Sequence, residues 1–523
     1  MGILSDPAAM MAALAWVVTP PLPSNGGTAD MKKSDTVRCN SDSASEPVDK
    51  ASIQHNEASP AQEYFAPISI DEGALWGEQT QRSLINFNIG QQRFEAGFID
   101  ALVHIKRVCA EVNHRQGRLP DDLYGAITQA CDDLLGGNHR DQFPLRVWQT
   151  GSGTQTNMNV NEVITTLANR LLKSGGDPSG DGAKVHPNDH VNMSQSSNDV
   201  FPTAMRLAVA QQSSDTLLPA LDQLMIALND KQTEFATVYT VGRTHLMDAL
   251  PVTVGAALSA HITQLKEAAE AIQESLKAVC KLAIGGTAVG SGSNAPEGFG
   301  DEVAAGLAQR YNQPFSRHEN LYAAVSGEDA SLRFSAALKQ LAAVLLKLAN
   351  DFRLLGSGPR CGLNEWQLPA NEPGSSIMPG KVNPTQCEAL SMVCLQVFGN
   401  DLTVSLASSQ GQLQLNTYRP VIIHNLMESS GLLADAMNSF ATHCVAGLAL
   451  NQQQITSNMA QNLSIITLLA PQIGYDVASA IVHQAYQRKS SLAGAAEALG
   501  YFTQAEFETL LSDVLDKQHA SRS

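Results

Sequence analysis

The chain has 523 residues, 43% of them hydrophobic, enough for several domains or for one large core with satellites. Its 34 Lys and Arg against 51 Asp and Glu leave a formal charge of −17. That balance speaks against nucleic acid or an anionic membrane as a partner, while leaving room for an anionic substrate in a local basic pocket. Only 5% of residues are aromatic, and the richness in Ala, Leu and Gln favours packed helices over sheets.

Residues 1–60 differ in composition from the rest. A short apolar stretch, Ala8 to Val18, precedes Pro20, Pro21, Pro23, Gly26 and Gly27, and a polar run follows from Ser34 to Ser59. The apolar stretch is too short to span a bilayer. Asp6, and no Lys or Arg, precedes it, unlike a secretory leader. The first Arg is Arg38, which does not fit an Arg-rich transit peptide, and Asp6 stands where a myristoylation site after Gly2 wants Ser or Thr. The segment reads as a disordered extension, or as sequence upstream of a later start such as Met31.

From about Tyr64 the composition becomes globular. Ile68 to Ile89, with Gly73, Trp76 and Gly77, reads as loop and short turns. Helix-compatible runs follow over Phe94 to Arg115 and Asn161 to Lys173, and the longest lie between Asp199 and Leu448. Phe334, Leu338, Leu341, Leu345, Leu348 and Phe352 alternate spacings of four and three, which puts one apolar seam along a helix face, as bundle packing requires. The runs are interrupted at Trp148 to Asn159, Lys184 to Asn198, Gly242 to Pro251, Gly285 to Pro296 and Ser357 to Pro384. In an all-α protein such loops are the natural place for chemistry. From about Asn451 shorter amphipathic helices suggest a small separate lobe. The expected division is 1–60, an extension; 61–197, an N-terminal domain; 198–450, a central helical bundle; and 451–523, a small helical domain.

The loops fail the usual cofactor tests. Gly374 and Gly380-Lys381 have glycine spacing one residue too long for a phosphate loop, and Val382 stands where Ser or Thr must hold magnesium. Gly290 and Gly292 begin a dinucleotide-like pattern, but Ala295 replaces the third glycine and no strand precedes it. His186 and His190 are the one i, i+4 histidine pair, and Pro187 lies between them. The eight cysteines show no C-x-x-C pair and read as reduced thiols of a cytoplasmic-type compartment. No metal or cofactor is expected.

What remains is an inventory for binding a small dicarboxylate and moving protons. In the segment GSSIMPGKVNPTQCE, Gly374 to Glu388, Gly374-Ser375-Ser376 suits irregular backbone that presents N–H groups to an anion. Met378-Pro379-Gly380 fixes a turn, Lys381 and Asn383 add a charge and an amide, and Pro384 suits the start of a helix carrying Glu388. On composition alone, a glycine-rich connector is as good a reading.

This segment resembles the signature of the fumarase/aspartase superfamily. So do WQTGSGTQTNMNVNEV (Trp148 to Val163), KVHPNDHVNMSQSSNDVFPTAM (Lys184 to Met205), GRTHLMDA (Gly242 to Ala249) and GGTAVGSG (Gly285 to Gly292), which occur in the superfamily's order. Within it, the chain is similar to class II fumarate hydratases. His245 stands where aspartase-like members usually have Gln, and Ser197 where they typically have Thr. The resemblance implies a three-domain all-α lyase fold, a homotetramer with a twenty-helix core, and active sites shared by three subunits.

It also implies reversible anti hydration of fumarate to L-malate through an aci-carboxylate carbanion. On that pattern Ser375 is the base on carbon, made strong enough by loop N–H groups and by Lys381. Lys381 and Asn383 hold the carboxylate where charge accumulates. His245, paired with Glu388, acts through a bound water on the other face. Ser152, Gly153, Thr154, Ser196, Ser197, Asn198, Thr244, Ser376 and Val382 complete the substrate contacts. His186, Pro187, Asn188 and Asp189 match a second anion site of the superfamily, from which the chain departs at Ala183; a helix-capping turn is an equal reading of those four. Glu319 to Asp329 also departs from the superfamily's usual run. An aspartase-like lyase and a catalytically silent structural relative are the competing readings, and the presence of all five reactive residues argues against the second.

Overall fold

The computed structural model describes residues 68–174, 184–374 and 377–520. The extension expected over 1–60 lies outside them, as do Ala183, Ser375 and Ser376. Helices dominate the described residues, joined by loops and by three small two-stranded pairings.

The N-terminal part holds α1 (Glu78–Asn86), α2 (Ala96–Arg115), α3 (Asp121–Leu135) and α4 (Thr154–Ser174). Helix α1 falls where loop and turns are expected. Both carboxylate oxygens of Glu162, on α4, accept from the N–H groups of Gly77, Gln79 and Thr80 and from the Thr80 hydroxyl. These are the donors that the first turn of a helix cannot satisfy internally, and the acceptor comes from 85 residues away. A helix started by so distant a carboxylate leaves no local signature. Helix α4 likewise begins at Thr154, inside an expected loop. Its opening asparagines, poor helix formers in isolation, are buried in polar contacts with the flanking segments.

After a π-helical turn at Pro187–Val191 come α5 (Ser197–Gln212) and α6 (Leu218–Glu234). A hairpin of β1 (Tyr239–Thr244) and β2 (Met247–Thr253) leads into α7 (Val254–Val279). Strand β3 (Lys281–Leu282) pairs in parallel with β4 (Ser316–Arg317), with α8 (Phe299–Tyr311) between them. Then follow α9 (Leu321–Ser326), α10 (Asp329–Leu355), β5 (Trp366–Gln367), α11 (Thr385–Ser409), α12 (Arg419–Phe440) and β6 (Ala449–Leu450).

Five helices form a bundle. Helix α6 packs on α7, α7 on α10, α10 on α11, α11 on α12, and α12 returns to α6. The seam from Phe334 to Phe352 is buried throughout, as its spacing predicts. Helix α11 is different, because it is apolar on every side. Cys387, Leu390, Cys394 and Val404 face the core, while Met392, Leu395, Leu402 and Leu406 are exposed. By length and composition it could cross a membrane; a helix covered on all sides within an assembly has the same composition.

The chain closes with α13 (Gln452–Gln461), α14 (Ala470–Ile473), α15 (Tyr475–Arg488), α16 (Leu492–Ala498) and α17 (Gln504–Ala520). Ile465, Ile481, Leu492, Phe507 and their neighbours form an apolar cluster separate from the main core.

Candidate active site

Three groups of the expected residues occupy three different places on the chain. The first gathers around converging helix starts. At the head of α4, the Ser152 and Thr154 hydroxyls are 2.8 Å apart, and Gly153 takes a left-handed φ of 75°. At the head of α5, Ser196 forms a capping box with Asp199: the Asn198 N–H donates to Ser196 Oγ at 3.2 Å, and the Ser196 N–H donates to Asp199 Oδ1 at 2.9 Å. The N-terminus of α12 closes the group. There the Arg419 N–H donates to the Gly151 carbonyl at 3.1 Å, and Arg419 Nη1 donates to the Asn198 carbonyl at 2.9 Å.

The approach is close. A Cβ on Gly151 would lie 1.3 Å from the Thr417 carbonyl oxygen, so only glycine fits. The fourth contributor is the 285–288 loop. Gly285 and Thr287 N–H groups donate to Asp199 Oδ2 at 3.0 and 2.9 Å, and Asn198 Nδ2 donates to the Ala288 carbonyl at 2.8 Å. Asp199 is fully buried. Burial pushes its carboxyl up to about 6, against the opposing pull of those N–H groups and of the Lys106 charge. Each helix start carries roughly half a positive charge. Three meeting at one patch of hydroxyls and an amide suit a carboxylate-bearing ligand.

The second group is the hairpin tip. Thr244 pairs with Met247, so His245 and Leu246 are the two turn residues, with φ of 55° and 62°. Both are left-handed, as a type I′ turn demands, a place normally taken by Asn or Gly. Holding two larger side chains there costs of order 1–2 kcal/mol each. Such strain persists only where the surroundings impose it. They do so here through Arg243, whose guanidinium grips both oxygens of the buried Glu365, at 3.1 and 2.5 Å. Thr240 and Asn458 donate to the same carboxylate at 2.9 and 2.7 Å. Burial alone would raise the Glu365 carboxyl; Arg243, Asn458 and Thr240 outweigh it and hold it below the usual range. The other strand is pinned by Asn462 and Ser464, which donate to the carbonyls of Ala249 and Asp248.

The third group is the loop after Gly374. The Gly374 Cα lies against Lys381, whose carbonyl oxygen would be 2.0 Å from a Cβ there, so only glycine fits at that point. The expected turn is present: the Lys381 N–H donates to the Met378 carbonyl at 3.1 Å, with Gly380 at φ 81°, the type II pattern with Pro379 before it. Lys381, Val382, Asn383 and Glu388 are exposed, and Glu388 sits in the first turn of α11 behind Pro384. Ser375 and Ser376 lie outside the described residues.

Among the described residues, no hydrogen bond or ion pair joins His245 to Glu388 within one chain. His186, Asn188 and Asp189 are exposed, and they serve their own turn. His186 Nδ1 accepts from the Asp189 N–H at 3.1 Å, and the His186 N–H donates to His190 Nδ1 at 2.9 Å.

Sequence reasoning missed Glu365, Arg419, Asp199, Asn157 and Lys106 as supports. Asp199 carried a signal, since Ser followed three residues later by an acid reads as a capping box. A buried charge-bearing residue inside a helical run, such as Lys106, has none.

The description "Lyase" belongs to a family model that matches residues 67–399, and "Fumarase C C-terminus" to one that matches 465–513. A fumarate hydratase class II of Pseudomonas putida is 53% identical over 444 residues, which are 85% of this chain and 95% of that protein. One of Thermosynechococcus vestitus is 51% identical, over 84% of this chain and 94% of its own length. The crystal structure of class II fumarase from Schistosoma mansoni superposes with a TM-score of 0.81 at 44% identity, covering 85% of this chain and 96% of that one.

Proposed function

The chain belongs to the class II fumarate hydratase family of lyases, and we propose from this that it catalyses the reversible anti hydration of fumarate to L-malate. The observation that carries the site assignment is the convergence of the α4, α5 and α12 N-termini around Ser152, Thr154, Ser197 and Asn198. A dianionic substrate fits there, oriented by hydroxyls and amides.

In the malate-to-fumarate direction, Ser375 takes the proton from the carbon next to one carboxylate, whose electrons then spread onto that carboxylate. Lys381 and Asn383, with Ser376 and the Val382 backbone beside them, hold this extra charge. Removing a single donor aimed at such charge typically costs about 3–4 kcal/mol of barrier, so holding it is the heaviest demand on the site. The hydroxyl leaves from the opposite face and takes a proton through a water that His245 and Glu388 order, with Thr244 alongside. Gly153 and Ser196 shape the two helix starts. Every step is acid–base chemistry by side chains, and no cofactor enters it. No role is proposed for His186 to Asp189.

The family is oligomeric. A homotetramer belongs to the proposal: it would cover the exposed apolar face of α11, and it would bring the His245 tip of one chain to the Glu388 and Lys381 of others. Cytoplasmic residence belongs to the same reading; the seven described cysteines are free thiols.

The test follows fumarate absorbance with the purified chain. Loss of fumarate without ammonia, and its reappearance from L-malate, is the expected result. Consumption only when ammonia is supplied would make the chain an aspartase-like lyase instead.

A further inference from the structure

Lys106 lies in the middle of α2 and is fully buried. Its ammonium donates to Asn192 Oδ1 at 2.8 Å and to Gln195 Oε1 at 2.9 Å. Both partners belong to the short segment that ends in Ser196, Ser197 and Asn198. Asn192 Oδ1 is also the acceptor for Asn157 and Asn161 of α4, and Asn157 Nδ2 reaches on to Ser197 Oγ at 3.2 Å. A single buried cation therefore sits at the root of a chain of amides. That chain runs to a hydroxyl of the substrate patch and ties the head of α4 to the head of α5.

A long apolar stem with a charged end is costly to bury without a reason in the fold around it. Asn113 ties Met193 and Ser194 to the same helix, but the Asn192 and Gln195 side chains meet α2 through Lys106. We propose that Lys106 is a positioning residue for the hydration reaction: its charged amino group sets the Asn192–Asn198 segment, and with it the hydroxyl and amide groups that receive the dicarboxylate. The inference rests on the fumarate hydratase reading of this chain.

The placement has a titration consequence. The charged and titratable groups facing Lys106 are Cys109 on its own helix, Asp199 on α5 and Cys131 on α3. Burial lowers its pKa to about 8, although these neighbours favour the charged form. As pH rises through 8 the amine loses its charge. Its bonds to Asn192 and Gln195 then weaken to neutral strength, and Asp199 loses its buried counter-charge. An alkaline limb near pH 8 in kcat/KM follows.

Two variants test this. Lys106→Gln keeps a donor without the charge, and it is expected to lower kcat/KM about tenfold or more, mostly through KM, and to abolish the limb. Asn192→Asp keeps the shape and gives Lys106 a carboxylate partner, so the limb should move to higher pH. Folding is followed by thermal melting, and Asn192→Asp remains informative if Lys106→Gln melts early. A folded Lys106→Gln protein with the parent's kcat/KM and pH profile would overturn the proposal, as would an Asn192→Asp protein whose limb stays near the parent's. A parent chain with no activity on fumarate would instead overturn the underlying reading of function.

Discussion

His245, the proposed acid, shows how little of a residue's setting is written beside it in the chain. The tetrapeptide Arg243-Thr244-His245-Leu246 places it within a family motif, but nothing there announces a left-handed backbone at the two turn residues. The preceding Arg243 reveals the cause only in three dimensions, where it meets Glu365, which is 122 residues away. His245→Asn is the informative substitution, since Asn tolerates left-handed φ better than most residues. The hairpin should survive while the imidazole is lost. Turnover in both directions should drop by roughly 10²–10⁴, the usual share of a general acid–base, with unchanged circular dichroism. Unaltered steady-state rates would remove His245 from the acid role.

At the scale of the element, the carboxylate of Glu365 holds the hairpin in addition to the pairing of its own two strands. Glu365→Gln leaves Arg243 without its buried counter-charge, an event that costs about 3–5 kcal/mol in comparable sites. Because the Glu365 pKa is lowered in the folded chain, its contribution is present above the unfolded carboxylate range and is lost as pH falls through the folded value. The variant should thus unfold at lower denaturant concentration at neutral pH, and the gap from the parent should narrow on acidification. A constant gap from neutral to acidic pH would contradict that account. The elements legible in advance were those whose signal is local: the Phe334 to Phe352 seam, the Met378-Pro379-Gly380 turn and Pro384 at the head of α11. Helix α1 and the start of α4 were not, because Glu162 and the buried asparagines act across long sequence separations.

For the whole molecule, the family and its loop motifs were readable from five segments in order, and a site shared between chains only as what that resemblance implies. One chain brings the α4, α5 and α12 starts together, and it leaves His245 and Lys381 on exposed features elsewhere. The apolar outer face of α11, with Met392, Leu395, Leu402 and Leu406 exposed, has the character of an interface core rather than of a solvated surface. A periodic seam predicts one buried face; it says nothing of which copy covers the other. The central claim is therefore a fumarate-hydrating site to which different chains contribute the base and the acid.

Its most direct test mixes two inactive proteins. Ser375→Ala and His245→Asn chains are prepared separately, then unfolded and refolded together in equal amounts, and fumarate hydration is measured. If the two residues reach one site from different chains, random assembly restores about a quarter of the sites, each with an intact serine and an intact histidine. That recovery is the expected result. A mixture no more active than the sum of its two parents would contradict it.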